Sequence, residues 1–445
     1  MLAILRHRTF RHLFLAQTVA LVGTGLATVA LALLAYDLAG DDAGEVLGTA
    51  LAIKMAVYVL LAPVSGALVP PRLRKCVLIA LDLVRAAAAL MLPFVDTLWQ
   101  VYLLIALLQS ASACFTPLFQ SLIPEILPDE RDYTRALSLS RLAYDLESLL
   151  SPMLAAVLLM VISFHGLFAG TSAGFVLSAL LVLGTVFPAV EAAHGRGHPY
   201  ERALRGMRIY LRTPRLRGLL AINLVAAAGG AMVFVNTVVI VRSALGGGDR
   251  DVAWAFAAFG FGSMAVALLL PRLLDRIPDR RVMLAAAVTM ASALLVATVL
   301  WNGARAAIGW ATLLPLWVIL GMAYAGLVTP GGRLLRRSAR SDDLPFLFAA
   351  QFSLSHACWL LCYPLAGWVG ARFGLGTALL ALSVVALSGL VFAWTTWPRR
   401  ESAVLPHRHD DLPTDHPHWR EYPAETDGVH AHEYFIDALH ERWPR

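Results

Sequence analysis

Residues 66–75 have the sequence GALVPPRLRK, a short basic segment that joins two apolar stretches, 46–69 and 76–95. Each stretch reaches the length of about 20 residues that a helix needs to cross a hydrocarbon layer about 30 Å thick. A similar basic segment, PRLLDRIPDRR at 271–281, follows 205 residues later between two further apolar stretches. The two segments predict a membrane protein with two related halves.

The composition of the whole chain agrees with a membrane protein. Of its 445 residues, 58% are hydrophobic and 15% are charged, whereas soluble domains average about 25% charged residues. One globular core cannot bury so many apolar side chains, so lipid must solvate much of the chain. We predict an all-α membrane protein of two six-helix bundles, with transmembrane helices at 13–36, 46–69, 76–95, 98–122, 137–163, 165–188, 217–241, 252–271, 282–301, 308–328, 345–370 and 374–396.

The distribution of Lys and Arg among the loops predicts the orientation in the membrane. The N-terminus, alternate loops and the central linker hold 23 of these residues, and the opposite loops hold four, Arg242, Arg250, Arg305 and Arg372. Loops rich in Lys and Arg stay in the cytoplasm. Because 34 Arg against two Lys is typical of a GC-rich bacterial genome, we expect a multi-pass protein of the bacterial inner (plasma) membrane with both termini cytoplasmic.

A weak internal repeat also supports two halves. RHLFLAQ at 11–17 and RGLLAIN at 217–223 both place an amide six residues after an Arg, and Gly23 and Gly229 follow at the same offset of 206. A duplicated set of helices is one way in which transporters build two bundles about a central site. We divide the chain into an N-terminal bundle at 1–188, a basic cytoplasmic linker at 189–216, a C-terminal bundle at 217–397 and a His-rich cytoplasmic tail at 398–445.

The layout and the loop motifs resemble those of the major facilitator superfamily of transporters over about residues 10–396. The family motif after the second helix, G-x-x-x-D-R-x-G-R-R/K, is matched at Gly66, Arg74 and Lys75, whereas Pro70 and Pro71 replace its acidic and first basic residues. In the second half Asp275, Arg276 and Arg280 match, and Pro271 replaces the glycine. The resemblance implies that these charged residues latch a cytoplasmic gate by ion pairing.

Span five, SRLAYDLESLLSPMLA at 140–155, carries three charges inside an apolar stretch. A charge at the bilayer centre costs about 2.5–3.5 kcal/mol on insertion scales, so such groups face a protein interior or a cavity. Helical spacing places Tyr144 and Glu147 on one face, and it places Arg141 and Asp145 one turn apart on the neighbouring stripe, where they can pair. This pairing leaves Glu147 without a counter-charge at helical spacing on span five.

Spans two and three supply further charges within the membrane. Lys54 lies in span two, Asp82 and Arg85 lie one turn apart in span three, and with the groups of span five the charges sum to zero. We expect Glu147, with Asp145 and Lys54, to couple transport to protons, because a carboxyl that faces an alternating cavity can bind and release a proton. The alternative, for the paired charges of spans three and five, is that they hold helices together or latch the gate.

Polar side chains at helical spacing predict a cavity in the bundle. The resemblance implies that spans 1, 4, 7 and 10 line this cavity and that spans 2, 5, 8 and 11 flank it. The alternative is that small polar side chains join neighbouring helices, as they do in many membrane proteins. The candidates for contact with a solute are Gln17, Thr24, Tyr58, Gln109, Thr116, Tyr144, Asn223, Asn236, Gln351 and His356.

The polar tail is rich in histidine. Residues 407–445 hold seven of the 13 histidines, interleaved with Asp and Glu. Imidazole and carboxylate groups suit borderline divalent ions such as nickel, cobalt and zinc, and the tail resembles the His-rich C-termini of the nickel-resistance branch of the superfamily. A solvated tail with incidental histidines is the alternative. The candidate metal ligands are His407, His409, His416, His418, His430 and His432.

The sequence lacks the common motifs of nucleotide-binding proteins and metalloproteases. It contains no G-x-x-x-x-G-K-[ST] phosphate loop and no H-E-x-x-H segment. GTSAG at 170–174 matches a nucleophile elbow but lies inside span six, where close helix packing explains its glycines. We therefore predict no cofactor and no enzymatic activity, and any uphill transport must draw on an ion gradient.

These features together predict a secondary transporter that works by alternating access. We expect proton-coupled efflux of a small solute, either a divalent metal such as nickel or a small amphipathic compound. We expect a monomer in contact with membrane lipid and no binding to nucleic acid. The alternatives are a polytopic membrane enzyme and a metal-sensing membrane protein without transport.

Overall fold

The computed structural model describes most of the membrane-spanning chain and parts of the tail. The described ranges are 2–69, 71–127, 139–140, 154–185, 199–303, 309–340, 343–399, 404–408, 418–419, 429–437 and 439–440, with the single positions 129, 132, 136, 143, 151, 412, 422 and 443.

The described residues form thirteen α-helices and two strands. The first half contains α1 (Arg8–Ala39), α2 (Ala43–Leu68), α3 (Arg74–Met91), α4 (Leu98–Ile126) and α5 (Phe164–Leu183). The linker contains α6 (Pro199–Arg212). The second half contains α7 (Pro214–Val239), α8 (Asp249–Leu274), α9 (Asp279–Gly303), α10 (Trp310–Val328), α11 (Gly331–Arg336), α12 (Leu344–Phe373) and α13 (Leu375–Thr396), and the tail contains β1 (Val404–Arg408) and β2 (Val429–Glu433).

Ten apolar helical segments among the described residues are long enough to cross a membrane. The first of them, Arg8–Leu61, contains α1 and most of α2, so the ten segments account for eleven of the twelve predicted spans. The remaining span, 137–163, lies largely outside the described residues, and its part at 154–159 is helical. The prediction of an all-α membrane protein is confirmed, and the two short strands of the tail are the exception to it.

The same four helix pairs pack in each half. In the first half α1 and α3 pack on α5, and α4 packs on α2 and α3. In the second half α7 and α9 pack on α13, and α10 packs on α8 and α9. Each pair therefore recurs six spans later, as expected if the sequence repeat is a duplication of the bundle.

The two bundles meet along α2 and α12, which pack closely together. The approach is closest where glycines face each other. A Cβ atom added to Gly367 would lie 2.2 Å from the carbonyl oxygen of Gly44, and one added to Gly48 would lie 2.8 Å from the carbonyl oxygen of Tyr363. Only residues without a side chain let the two backbones come so near.

The linker helix and the tail lie against the second bundle. In α6, Ile209 and Tyr210 are buried, and the Tyr210 hydroxyl donates a hydrogen bond to Gln351 of α12. The tail strands form an antiparallel pair in which Leu405 lies opposite His432 and His407 lies opposite His430. The linker is therefore more than a flexible connection, because its helix is docked on α12.

Candidate functional site

Two adjoining crevices lie within the first bundle, between α1, α2, α3 and α4. The first is narrow and is lined by polar groups of Thr24, Thr28, Lys54 and Gln109 among leucine side chains. The second is also narrow and is lined by residues that include Gln17, Thr24, Tyr58, Arg85 and Thr116. Thr24 lines both crevices, so they follow one another along α1. The structure thus brings together five of the predicted cavity residues of the first half, Gln17, Thr24, Tyr58, Gln109 and Thr116.

Two buried amides face these crevices. Gln17 is 2% exposed, and neither its Nε2 nor its Oε1 has a hydrogen-bond partner among the described residues. Gln109 is 6% exposed, and its Oε1 also has no hydrogen-bond partner in the part of the chain that the structure describes. An unsatisfied buried polar group costs about 1–3 kcal/mol. A solute or water in the crevice that bonded these amides would remove the cost.

A buried ion pair supports the wall of the second crevice. Asp82 and Arg85 pair one turn apart on α3, and Ser178 of α5 donates a hydrogen bond to Asp82 at 2.8 Å. The Arg85 guanidinium lies 4.1 Å from the ring centroid of Phe115 and 4.6 Å from that of Phe175. The pair therefore joins α3, α4 and α5, and it also presents a compensated cation to the crevice. The contribution of Ser178 was not predicted from the sequence.

The predicted residues Tyr58 and His356 meet where the bundles touch. Their rings are stacked, with centroids 5.1 Å apart and an interplanar angle of 3°. His356 Nδ1 lies 2.6 Å from the carbonyl oxygen of Phe352, whose own ring lies 4.0 Å from the imidazole. Because Tyr58 also lines the second crevice, this stack connects the crevice wall to the contact between α2 and α12.

Three predicted cavity residues of the second half lie elsewhere. Asn236 donates a hydrogen bond from Nδ2 to the carbonyl oxygen of Ala366 at 3.1 Å, and Gln351 accepts one from Tyr210. Both contacts join helices, which is the alternative role of small polar side chains. Asn223 Nδ2 is buried with no hydrogen bond to any described residue.

The two bundles are joined at one end of the molecule. We call it the turn end, since it contains the Gly40–Asp42 turn between α1 and α2. Ser243 donates to Asp41, Trp368 Nε1 donates to Thr49 Oγ1 at 2.8 Å, and Arg372 lies 3.4 Å from Glu45. With the glycine contacts of α2 and α12, these polar contacts hold the described parts of the two bundles together at the turn end.

The opposite end, which carries α6 and the tail, is the linker end. Of the predicted gating residues there, Lys75 donates to the carbonyl oxygen of Thr185 at 2.7 Å, and Arg280 donates to the carbonyl oxygen of Trp397 at 3.1 Å. Asp275 and Arg276 are exposed, Arg74 is half-buried, and Gly66 lies in the last turn of α2.

Between α8 and α9, the ion pairs seen in the described residues are formed by Asp279, the first residue of α9. It is buried, and its carboxylate lies 3.0 Å from Arg337 Nη1 and 3.5 Å from Arg333 Nε. The motif comparison selected Asp275 instead. The cluster of Arg333, Arg336, Arg337 and Arg340 offers partners for an acid, but it does not distinguish Asp279 from Asp275.

Several predicted residues fall outside the described part of the chain. They are Arg141, Tyr144, Asp145 and Glu147 of span five and His409 and His416 of the tail. Their assigned roles stay predictions.

The remaining predicted tail histidines form a cluster. His407, His418, His430 and His432 each offer a nitrogen atom, and these atoms all lie within 4.8 Å of one another. His440, which the prediction of ligands omitted, lies beside them with its Nε2 at 3.1 Å from Nε2 of His407.

Burial and hydrogen bonds shift the ionisation of groups in the tail. Burial lowers the pKa of His407 below its ordinary value of 6.5 and raises the pKa of Tyr434 to about 12. Burial alone would raise the pKa of Asp437, but hydrogen bonds from the side chain and backbone of His440 outweigh it and lower the pKa to about 2. Neutral imidazole and ionised carboxylate are the forms that bind metals.

Comparison with known proteins gives one family match and one curated relative. The model of the family described as Major Facilitator Superfamily matches residues 13–248 and again residues 219–424. The uncharacterised MFS-type transporter YfiS of Bacillus subtilis (strain 168) is 25% identical over 222 residues, which are 48% of this chain and 52% of that protein. The match thus spans about half the length of the relative.

Solved structures share the fold at low identity. A bacterial homologue of the human lysosomal transporter Spinster, in an inward-facing and unoccupied conformation, matches with a TM-score of 0.63 and 13% identity over 88% of this chain and 97% of that one. The nucleoside transporter NupG matches with a TM-score of 0.62 and 13% identity over 87% and 100%. A POT family transporter in complex with a thioalcohol-conjugated peptide matches with a TM-score of 0.64 and 12% identity over 87% and 96%.

Proposed function

Because the chain belongs to the major facilitator superfamily, we propose that it is a proton-coupled exporter of a small amphipathic compound that works by alternating access. The distribution of Lys and Arg supports an inner-membrane protein with both termini in the cytoplasm. Family membership also favours transport over the alternative of a membrane enzyme. We propose that the monomer is the working unit, since each chain contains both bundles.

The observation that carries this proposal is the pair of adjoining crevices with the amides of Gln17 and Gln109 on their walls. Their polar groups are amides, hydroxyls and the cations Lys54 and Arg85, set among leucine and phenylalanine side chains. Such a mixed surface suits a compound with an apolar body and a hydrogen-bonding group.

A metal ion as cargo has less support. Within the described membrane-spanning helices, no group of three His, Cys, Asp or Glu side chains converges as metal ligands would; the cluster of that kind lies in the tail. Divalent transition metals bind tightly to such convergent nitrogen, sulfur and oxygen donors. The crevice walls instead offer amides and cations, which favour the organic compound.

We assign proton coupling to the carboxyl groups of span five together with Lys54 of span two. Glu147, with Asp145 and Lys54, is the proposed coupling group, because an intramembrane carboxyl marks a functional site by default. Lys54 lines the first crevice. The absence of a phosphate-loop motif in the sequence means that the energy must come from an ion gradient.

We propose export as the direction of transport. With both termini in the cytoplasm, the turn end faces outward, and the Asp41–Ser243 and Thr49–Trp368 contacts join the bundles there. Importers and exporters both pass through such a conformation, so these contacts support alternating access and not its direction.

Inverted membrane vesicles test this proposal. A pH gradient, followed with an acridine dye, should dissipate when a transported member of a panel of amphipathic compounds is added, and Ni²⁺ should have no such effect. The response should fall about tenfold in Gln17→Leu, which loses a hydrogen bond to the solute, and vanish in Glu147→Gln. Thr289→Val, an exposed position on α9, is the matched control and should behave as wild type.

Two outcomes contradict the proposal. If Glu147→Gln dissipates the gradient as fast as wild type, Glu147 does not couple protons. If Ni²⁺ alone, among all compounds tested, dissipates the gradient, the cargo is a metal and the crevice assignment fails.

A further inference from the structure

The tail strands place histidines on one face. In β2, His430 and His432 are buried and alternate with the exposed Val429, Ala431 and Glu433. Alternate residues of a strand point to the same side, so the H-A-H sequence directs both imidazoles inward. His407 of β1 lies directly opposite His430 in the register, which adds a third imidazole to the same face.

Three imidazoles are anchored through Nδ1 to oxygen atoms that can only accept hydrogen bonds. His407 Nδ1 lies 3.0 Å from the carbonyl oxygen of Leu405, and His432 Nδ1 lies 2.7 Å from that of Glu433. His440 Nδ1 lies 2.8 Å from the Asp437 carboxylate. Since these acceptors carry no proton, each Nδ1 must carry it, and the neutral ring then presents its lone pair at Nε2.

This is the arrangement that proteins use around metal ions. A ligating histidine nearly always donates its other ring nitrogen to a carbonyl or carboxylate oxygen, which fixes the tautomer and the ring orientation. Here the pair of Asp437 and His440 supplies the carboxylate version, and the backbone of both strands supplies the carbonyl version.

The ring nitrogens of the tail histidines lie close together, and the ligand atoms of His407, His418, His430 and His432 are all within 4.8 Å of one another. Nε2 of His407 and Nε2 of His440 are 3.1 Å apart, although both are lone-pair atoms that repel each other. Nε2 of His418 and Nε2 of His430 are 2.9 Å apart. Nε2 of His432 is buried and has no hydrogen bond to any described residue. A tetrahedral ion with metal–nitrogen bonds of about 2.0–2.1 Å would hold its ligand atoms about 3.3 Å apart.

We propose that the tail binds one borderline divalent transition-metal ion, of the class of zinc, nickel and cobalt, through the imidazoles of His407, His418, His430 and His432. His440 lies next to this set as a fifth imidazole, held by Asp437. Calcium and magnesium require oxygen ligands, and the converging atoms here are nitrogens. The site is independent of the crevices in the first bundle, so the inference stands or falls without the proposed transport activity.

The site is joined to the linker end of the second bundle. Asp437, which holds His440, lies 3.8 Å from Arg340. Trp443 lies with its ring centroid 5.7 Å from the Arg215 guanidinium, and Ile436 is 2% exposed within the main core. The segment that carries His440 therefore contacts Arg340 and Arg215 of the second bundle.

Metal binding to the purified full chain tests this proposal. The protein should carry an affinity tag without histidine, be stripped with a chelator and be dialysed against Zn²⁺, Ni²⁺ or Co²⁺ before metal analysis. Wild type and the control His12→Asn, at a half-buried histidine of α1, should each bind one ion. His432→Asn, which removes a proposed ligand, should weaken binding by more than about 100-fold, and Asp437→Asn, which acts only on the neighbouring His440, should weaken it by less than about tenfold.

X-ray absorption spectroscopy of zinc-loaded wild type identifies the ligand atoms directly, so the result does not depend on whether a variant folds. The inference predicts a nitrogen shell at about 2.0–2.1 Å with the scattering pattern of several imidazoles. An oxygen-only shell, no bound ion in wild type, or equal affinities for His432→Asn and His12→Asn would overturn it.

Discussion

A side chain at Gly367 should prevent closure of the turn end. A Cβ atom at this position would lie 2.2 Å from the carbonyl oxygen of Gly44 and 3.0 Å from Cα of Gly48. Real Cβ atoms do not approach closer than 3.0 Å, so Gly367→Val forces α2 and α12 apart by roughly 1 Å. Overpacking of this kind costs about 1–3 kcal/mol, which corresponds to a shift of about 5–150-fold between two conformations.

Disulfide trapping measures that shift. Asp41 and Ser243 are hydrogen-bonded across the turn end, so a D41C/S243C pair in a background without the four native cysteines should cross-link quickly when the end is closed. The rate should fall by about 5–150-fold in Gly367→Val. Gly170→Val is the matched control, since no atom lies within 4 Å of a Cβ there. Equal cross-linking rates in the two variants would show that the glycine contact does not control closure.

Three further substitutions probe the ion pairs and the helix contacts, with thermal unfolding in detergent as the measurement. Asp279→Asn should lose about 1 kcal/mol of stability, since its Arg partners are half-exposed. The control Asp275→Asn, at an exposed position, should lose nothing. A larger loss for Asp275→Asn would show that Asp275, the acid chosen by the family motif, forms the important ion pair. Asp82→Asn should lose about 3–5 kcal/mol by leaving Arg85 uncompensated, and the double replacement with Arg85→Leu should recover part of it. Thr171→Val should lose about 0.6 kcal/mol, because Thr171 donates to the Gly23 carbonyl oxygen at 2.9 Å; no change would indicate that lipid or water replaces the bond.

The membrane spans could be predicted from the sequence because lipid imposes a local rule. Every backbone group in the bilayer must be satisfied within its own helix, so an apolar run of sufficient length predicts one span. The positions of Gln17 and Gln109 in the crevices followed from the same logic, since a polar group within an apolar helix must face protein. These inferences need no knowledge of distant partners.

The residues that were missed depend on distant partners. Asp279 is buried because Arg333 and Arg337 reach it from a different helix, and no local pattern distinguishes it from Asp275. In the tail, His440 lies beside the cluster and its Nδ1 is held by Asp437. The strands there are five residues each, and β1 contains Pro406, a residue that is unfavourable within strands, so a sequence pattern does not predict them.

The two bundles share their packing but differ in the location of their charges. In the first bundle Asp82, Arg85 and Lys54 lie within membrane-spanning helices, beside the crevices. In the second, the acids Asp279 and Asp343 form ion pairs at the linker end, where α6 and the tail dock. Apolar packing is common to both because lipid demands it of every span. A charge in contrast is retained only where its own neighbours compensate it, so no charged site of one half predicts its counterpart in the other.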